Sequence, residues 1–535
     1  MSVPKKFYLA FGVLGIFLAI FYSFYLQSIP YEVDDAVTVW RAATQLPWHE
    51  MALRIFRPVS EFLIPGELSW ETALYGRITE LVLLKALFLI FGDSLNGIHA
   101  YTVVLVILLS ALVMVFVFRL TGNWLAAFFA ALFLTTTPAY AWTIMEFGDS
   151  APADQVFLLV HLVFFYNVLS RALQGNLKTH ELLLLWVTGM LAIRVKESNV
   201  FIAAGVPWLM LLANSGGNLL KCDSRQKTNL KKISFILFVL SLPLFLLKHR
   251  PLNRPVPWES LKAPFYIFFQ NPFGWEAERV CCLFSWKRSF PVSILSNFGF
   301  FLSWTFIVAG IFLMLRRKRF LLRCAPVSGF MMCGVWSFIA LAFHIYHHGF
   351  VFTRYLTWAL LPFTLAVTLT LYDFLNVLDG RKKKIFAVLL IVFATVKIGD
   401  NFFHSLYIRQ ELEKIWVPKW AFRKAIYEDQ THRQAKGLFD LYGFWHPSSE
   451  FTKDAGAYLF YNKTAKQLIN DAEFKRLVKK YRTFYFSTSE PAPDFPWSGR
   501  LLLSFDDSSF SLLTRFKMRF SGRLPNRYYL YKVAA

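Results

Sequence analysis

Charged side chains are scarce. They make up 17% of the 535 residues, against 56% apolar and 18% aromatic, too few to coat a soluble globule of this length. Acidic residues are scarcer still: 34 Asp and Glu stand against 57 Lys and Arg, a formal net charge of +23. Only five cysteines occur, Cys222, Cys281, Cys282, Cys324 and Cys333. Their spacing matches no metal-binding pattern, and the adjacent pair Cys281 and Cys282 is poorly placed to bridge itself, so the fold does not rest on a disulfide framework. Internal repeats and low-complexity linkers are absent as well, which removes the repeat architectures.

What is present is a series of apolar runs of roughly 17 to 22 residues, each long enough to cross a hydrocarbon core about 30 Å thick. Phe7 to Pro30, Ile98 to Phe118, Leu295 to Leu315 and Leu356 to Tyr372 are examples. The basic residues fall in short clusters between these runs rather than on one soluble face. They therefore read as topology signals and not as a nucleic-acid surface, and no nucleic-acid partner is expected. Lys5 and Lys6 precede the first run, which is longer than a signal-peptide core and lacks a small-residue cleavage site, so it is expected to remain as a helix.

Hydropathy places eleven spans, centred near residues 18, 108, 133, 162, 188, 206, 240, 304, 334, 364 and 392. Under that count Lys5 and Lys6, Arg119, Arg171 with Lys178, the Lys221 to Lys232 cluster, Arg316 to Arg319 with Arg323, and Arg381 to Lys384 share one side, which the positive-inside rule makes cytoplasmic. Leu81 to Phe91 is apolar but short, and a crossing there would reverse every later loop, so it is laid in the interface. The expected fold is mainly α: a polytopic membrane bundle over 1–402 with outer loops 31–96 and 248–293. A small extracytoplasmic α/β domain follows over 403–535, with a helix over Phe474 to Tyr481 and strands at Arg482 to Thr488, Arg500 to Phe505 and Arg527 to Val533.

Ionisable residues beside apolar runs are expensive and point to chemistry. "YEVDDAVTVW" puts Glu32, Asp34 and Asp35 just beyond the first span, where a carboxylate suits a general base or a metal ligand; a solvated loop acid or helix cap is the plain alternative. "FRPVSE" offers Arg57 to a phosphate, with a structural loop arginine as the plain alternative. "MEFGDSAPADQVF" gives Glu146, Asp149 and Asp154 with no nearby base, acids that would recruit a divalent cation or cap the next helix. Asp154 lies nearest the apolar run. "IRVKESN" packs Arg194, Lys196 and Glu197 between two spans, where Lys196 and Glu197 pair with each other or order an anionic donor. "HIYHHGFVFTRYL" sets His344, His347, His348, Arg354 and Tyr355 at a span's outer end. A metal site drawing on Asp149, Asp154, His347 and His348 is one reading of these residues, and a phosphate anchor at Arg354 is another. On this topology all five constellations face outward.

That order of motifs resembles the GT-C glycosyltransferases. It runs from an acidic pair after the first span, through "RP" before an interfacial helix, Asp at the start of the fourth span and "KE" between spans five and six, to "RYL" near a late span. The protein O-mannosyltransferases and the transferase that adds aminoarabinose to lipid A are the similar members, over about residues 1 to 400. The resemblance implies a helical bundle and a polyprenyl-phosphate sugar donor. It carries the base or acceptor-orienting role to Asp34 or Asp35, the fourth-span acid to Asp154 and the late basic residue to Arg354. The sequence departs in having Arg57 where some relatives have lysine, and in "RVKESN" where many have a plainer "KE" or "KG".

The expected activity is therefore transfer of a sugar, hexose or pentose, from a polyprenyl-phosphate donor to an acceptor hydroxyl at the outer face, with inversion. Asp34, Asp35 and Asp154 would serve catalysis, with Glu32, Glu146, Asp149 and Glu197 supporting them. Arg57, Lys196, Arg354 and Tyr355 would hold the donor phosphate. No cofactor is required beyond a divalent cation if one takes part. The partners are the bilayer, the donor and a protein, glycolipid or polysaccharide acceptor. The expected location is a bacterial plasma membrane with the N-terminus inside. A secondary transporter is the rival reading, disfavoured by ionisable groups at span ends and the lack of a repeat; a silent GT-C-like subunit is the other.

Overall fold

The computed structural model describes residues 4–23, 47–49, 78–91, 95–136, 152–195, 202–208, 223–246 and 380–392. It also describes strands within 437–534 and scattered positions between 199 and 515. The described residues fall into two units, one of helices and one built on a sheet. The expected boundary at 402/403, the loop 248–293 and the spans near 304 and 334 lie outside them.

Among the described residues the first unit includes the helices α1 (Lys5–Ser23), α2 (Ile78–Phe91), α3 (Leu95–Thr121), α4 (Trp124–Thr135), α5 (Ala153–Leu173), α6 (Thr179–Val195) and α7 (Ser224–Leu246). Helix α1, the segment Ala100–Thr121 and α5 are long and apolar enough to cross a membrane. Their surfaces agree. On α1 one face is buried through Phe7, Ala10, Leu14 and Leu18, yet the other exposes Tyr8, Leu9, Val13, Ile16 and Ile20, with Leu9 71% accessible. Water would penalise such a stripe, whereas lipid solvates it, so the protein is a membrane protein. Helices α4 and α6 stand where spans were expected but have 12 and 17 residues. At 1.5 Å per residue α4 is about 18 Å long, well short of the hydrocarbon thickness.

Cross-contacts order the helix ends. Phe7, near the start of α1, packs on Phe118, near the end of α3, with ring centroids 5.1 Å apart. Arg119 hydrogen-bonds Asn167 on α5, Arg171 pairs with Glu181 on α6, and Gln226 of α7 donates to the Leu173 carbonyl at 2.7 Å. Tyr372 donates to the Thr121 carbonyl at 2.8 Å. One end of the bundle thus gathers Lys5, Lys6, Arg119, Arg171, Lys178, Arg225 and Lys227. These are four of the clusters that the sequence placed on one side; Arg316 to Arg323 lie outside the described residues. Opposite it, Tyr22 at the end of α1 donates to the carbonyl of Thr135 at the end of α4. Because α1 and α3 run antiparallel, the chain leaves α1 and enters α3 at the same end, and α2 is not a lone crossing. Its 14 residues reach only about 21 Å, and it packs against α3 and α6 with Leu89, Ile90 and Phe91 exposed.

Local chemistry sets the turns at the basic end. Helix α3 stops at Gly122, whose φ of +68° is open to glycine, and Asn123 caps α4 by accepting from the Leu125 and Ala126 amides at 2.9 and 3.2 Å. Helix α5 ends in a Schellman motif: the Gly175 amide donates to Ala172 O (3.1 Å) and the Asn176 amide to Arg171 O (2.9 Å). At α7, Asp223 and Gln226 exchange side-chain and backbone bonds of 3.1 and 2.7 Å, a capping box.

The second unit holds a five-stranded sheet: β1 (Gly437–Asp440), β2 (Ala457–Leu459), β3 (Thr483–Thr488), β4 (Ser498–Phe505) and β5 (Tyr528–Ala534) in the order β2-β1-β3-β5-β4. The three strands expected from the sequence are β3, β4 and β5, joined antiparallel; β1 pairs parallel with β2 and β3. Tyr485, Phe505, Leu530, Tyr531 and Val533 are buried. In the register, Tyr485 and Lys532 face each other, and both donate to Asp429 Oδ2, at 2.6 and 2.7 Å. Burial alone would raise the Asp429 carboxyl, but hydrogen bonds from Lys532 and Tyr485 and the nearby charges of Lys532 and Arg500 win and hold it below its ordinary 3.8.

This packing makes two outcomes testable. A Cβ on Gly189 would lie 2.6 Å from Leu240 Cδ1 and 3.0 Å from His161 Cε1, so Gly189→Ala is expected to destabilise the bundle by about 1–3 kcal/mol in detergent unfolding. For the sheet, a depressed folded pKa means that stability is present above the unfolded value and lost as pH falls through the lower folded one. Amide exchange in β3 and β5 of the full-length protein should therefore accelerate below about pH 4, and Asp429→Asn should abolish that acid-dependent component.

Candidate functional site

The site is built where α5 begins and α6 ends, at the end opposite the basic cluster. Pro152 starts α5 because proline tolerates the edge of a helix but not its interior. Its carbonyl accepts from the Gln155 and Val156 amides, both at 3.1 Å. Asp154 follows in the first turn and is fully buried. Its Oδ1 accepts from the Gln155 amide at 2.7 Å, and the positive end of the helix macrodipole favours a negative charge there.

From the other side, α6 ends at Arg194 and Val195, both buried. Asn199 stitches the two helices: its amide nitrogen donates to the Asp154 carbonyl at 3.3 Å and to the Ala192 carbonyl at 2.9 Å. One side chain thus fixes the register between the turn bearing Asp154 and the turn bearing Arg194. Deeper in the bundle the fully buried His161 lies between Thr188 of α6 and the Ala203 carbonyl of the short helix 202–208, at 3.1 and 2.9 Å. On α2, Lys85 stands 5.5 Å from the ring centroid of Trp48, and Glu80 and Lys85 are both buried.

Of the residues singled out from the sequence, Asp154 is placed, at a buried helix start. Asp34, Asp35, Glu32, Arg57, Glu146, Asp149, Lys196, Glu197, His347, His348, Arg354 and Tyr355 lie outside the described residues. Among the described residues no group of three His, Cys, Asp or Glu is arranged for a metal ion. Pro152, not Asp154, is the N-cap of α5 and makes no side-chain capping bond, so the capping alternative does not account for Asp154. Arg194 belongs to the "IRVKESN" group singled out from the sequence and is placed, buried, at the end of α6; Asn199 and His161 were not singled out. Only the seven-residue step from Asp154 to His161 carried a signal, because it puts both on nearly the same helix face.

The bundle has counterparts among solved structures. The archaeal oligosaccharyltransferase AglB from Archaeoglobus fulgidus, in complex with an inhibitory peptide and a dolichol-phosphate, aligns over 90% of this chain and 69% of its own, with 14% identity and a TM-score of 0.50. ArnT from Cupriavidus metallidurans bound to undecaprenyl phosphate aligns over 99% and 98%, at 12% identity and a TM-score of 0.46. No protein-family model matches the sequence, and no curated protein does. The likeness to AglB is one of fold, and it agrees with the GT-C resemblance carried by the order of motifs.

Removing the Asn199 amide leaves two helix-end carbonyls without a shared donor. Asn199→Ala should lower stability by about 1–2 kcal/mol, seen as an earlier midpoint in detergent unfolding, whereas Asn123→Ala at the basic end should leave amide exchange around Asp154 unchanged.

Proposed function

We propose that the protein is a membrane glycosyltransferase that moves a sugar from a polyprenyl-phosphate donor to an acceptor hydroxyl. The observation that carries this reading is a buried carboxylate, Asp154, at a helix start of a bundle whose fold is shared with AglB. The AglB structure is in complex with an inhibitory peptide and a dolichol-phosphate, which supports a polyprenyl-phosphate donor.

The chemistry follows from charge. The acceptor oxygen attacks C1 of the sugar, the bond from C1 to the phosphate oxygen breaks, and negative charge accumulates on the departing phosphate. Guanidinium and ammonium groups stabilise that charge, a task we assign to Arg57, Lys196 and Arg354, with Tyr355 as a hydroxyl donor. The acceptor proton passes to a carboxylate, assigned to Asp34 or Asp35. Asp154, with one oxygen held by its own helix turn, orients the acceptor or the sugar. Glu32, Glu146, Asp149 and Glu197 shape the surrounding field. Direct attack inverts the anomeric centre and needs no glycosyl-enzyme intermediate. The carboxylate spacings that separate hydrolase mechanisms therefore have no bearing here. If a divalent cation takes part, Asp149 and Asp154 are its carboxylate candidates and His347 and His348 its imidazoles.

The orientation belongs to the same reading. The basic end is cytoplasmic by the positive-inside rule, and the Asp154 end and the C-terminal unit face outward.

The deciding experiment is transfer by the purified full-length protein from a panel of polyprenyl-phosphate sugars, with and without chelator. Asp154→Asn should fold normally and lose about 10²–10⁴ in kcat, and so should Asp34→Asn/Asp35→Asn. Folded wild-type protein that neither binds nor consumes any donor would overturn the assignment.

A further inference from the structure

An imidazole buried among apolar helices costs several kcal/mol unless its nitrogens are partnered, and leucine would fill the same space without that cost. His161 is such a residue, with no accessible surface. Its partners identify its hydrogens. Nε2 lies 2.9 Å from the Ala203 carbonyl, which can only accept, so Nε2 carries a proton. Nδ1 lies 3.1 Å from Thr188 Oγ1, a hydroxyl that also stands 3.1 Å from the Leu185 carbonyl.

Each element that meets at this ring leads to one side of the candidate site. Helix α5 carries Asp154 seven residues earlier, about 10 Å along the axis and within about 20° of the same face. Helix α6 carries Thr188 and, at its end, Arg194. Asn199, the brace between α5 and α6, precedes the helix 202–208 that supplies Ala203. Gly189 permits the approach, because any Cβ there would crowd both His161 and Leu240.

We infer that His161 is a positioning residue: by tying α5 to α6 and to helix 202–208 beneath the site, it holds the Asp154 carboxylate in register with the end of α6. The kinetic consequence rests on the transferase reading above; the mechanical one does not.

The test compares His161→Leu, His161→Gln and Thr188→Val in the full-length protein. Glutamine keeps an N–H for the Ala203 carbonyl and an oxygen for the Thr188 hydroxyl. His161→Leu should lower kcat by about 10–100-fold, the scale set by a displacement of about 1 Å at a reacting group, with donor KM little changed. His161→Gln should recover most of that loss, and Thr188→Val should fall between the two. Hydrogen exchange should quicken in His161→Leu at the first turns of α5 and the last turn of α6, and stay unchanged around Arg171 and Glu181. The inference is overturned if His161→Leu retains kcat and protection, if His161→Gln behaves as His161→Leu does, or if kcat falls only as the folded fraction falls. Should His161→Leu fail to fold, His161→Gln and Thr188→Val decide by the same criteria. Should wild-type protein show no transfer, the transferase reading fails and the exchange pattern alone decides the positioning role.

Discussion

Lipid offers no hydrogen bonds, and that constraint organises the helical unit. A polar group inside the bundle must find a protein partner, so each one that persists becomes a fixed link between elements. Tyr22 reaches the Thr135 carbonyl, His161 reaches Thr188 and Ala203, and Asn199 reaches Asp154 and Ala192. Apolar packing tells the helices to associate but tolerates sliding. These few directional bonds set where one helix stands against the next, and two of the three lie along the path from the bundle interior to Asp154.

The same constraint sorts charge. At the basic end the ionic groups are partnered in wetter surroundings: Arg171 pairs with Glu181 with the arginine half-exposed, and Glu181 also accepts from the Lys178 amide. With Glu181 buried and Arg171 half-exposed, the pair is only partly screened by water. Among the described residues at the opposite end, Asp154 and Arg194 are buried, and an ion in a low-dielectric site acts more strongly on its neighbours.

Much of this was legible in the sequence, for reasons specific to each element. Helices α1, α3 and α5 announce themselves because a hydrocarbon solvent demands an apolar residue at nearly every position, and Lys5, Arg119, Arg171 and Lys178 mark the shared end because charge is confined to where water begins. Asp154 stood out as an acid at the edge of an apolar run. The braces did not: His161 and Asn199 are single polar residues, and what they bind depends on helix crossings that no local pattern encodes. The modest length of α4 was hidden by apolar residues continuing past its last turn. In the sheet unit, β3, β4 and β5 were visible as aromatic and aliphatic runs. Strands β1 and β2, of four and three residues, are too short for an alternating pattern and owe their conformation to parallel pairing with a neighbour.

The turn between α3 and α4 bears on biosynthesis. Gly122 and Asn123 alone separate the two helices, one relaxed into a left-handed conformation and the other capping α4. Twelve residues of α4 are too few to partition into a bilayer on their own, and a two-residue connection leaves no slack for the helices to enter separately. Such a pair is expected to enter the membrane as one hairpin, α3 carrying its shorter neighbour. The side on which Arg119 is retained would then set the orientation of both helices together.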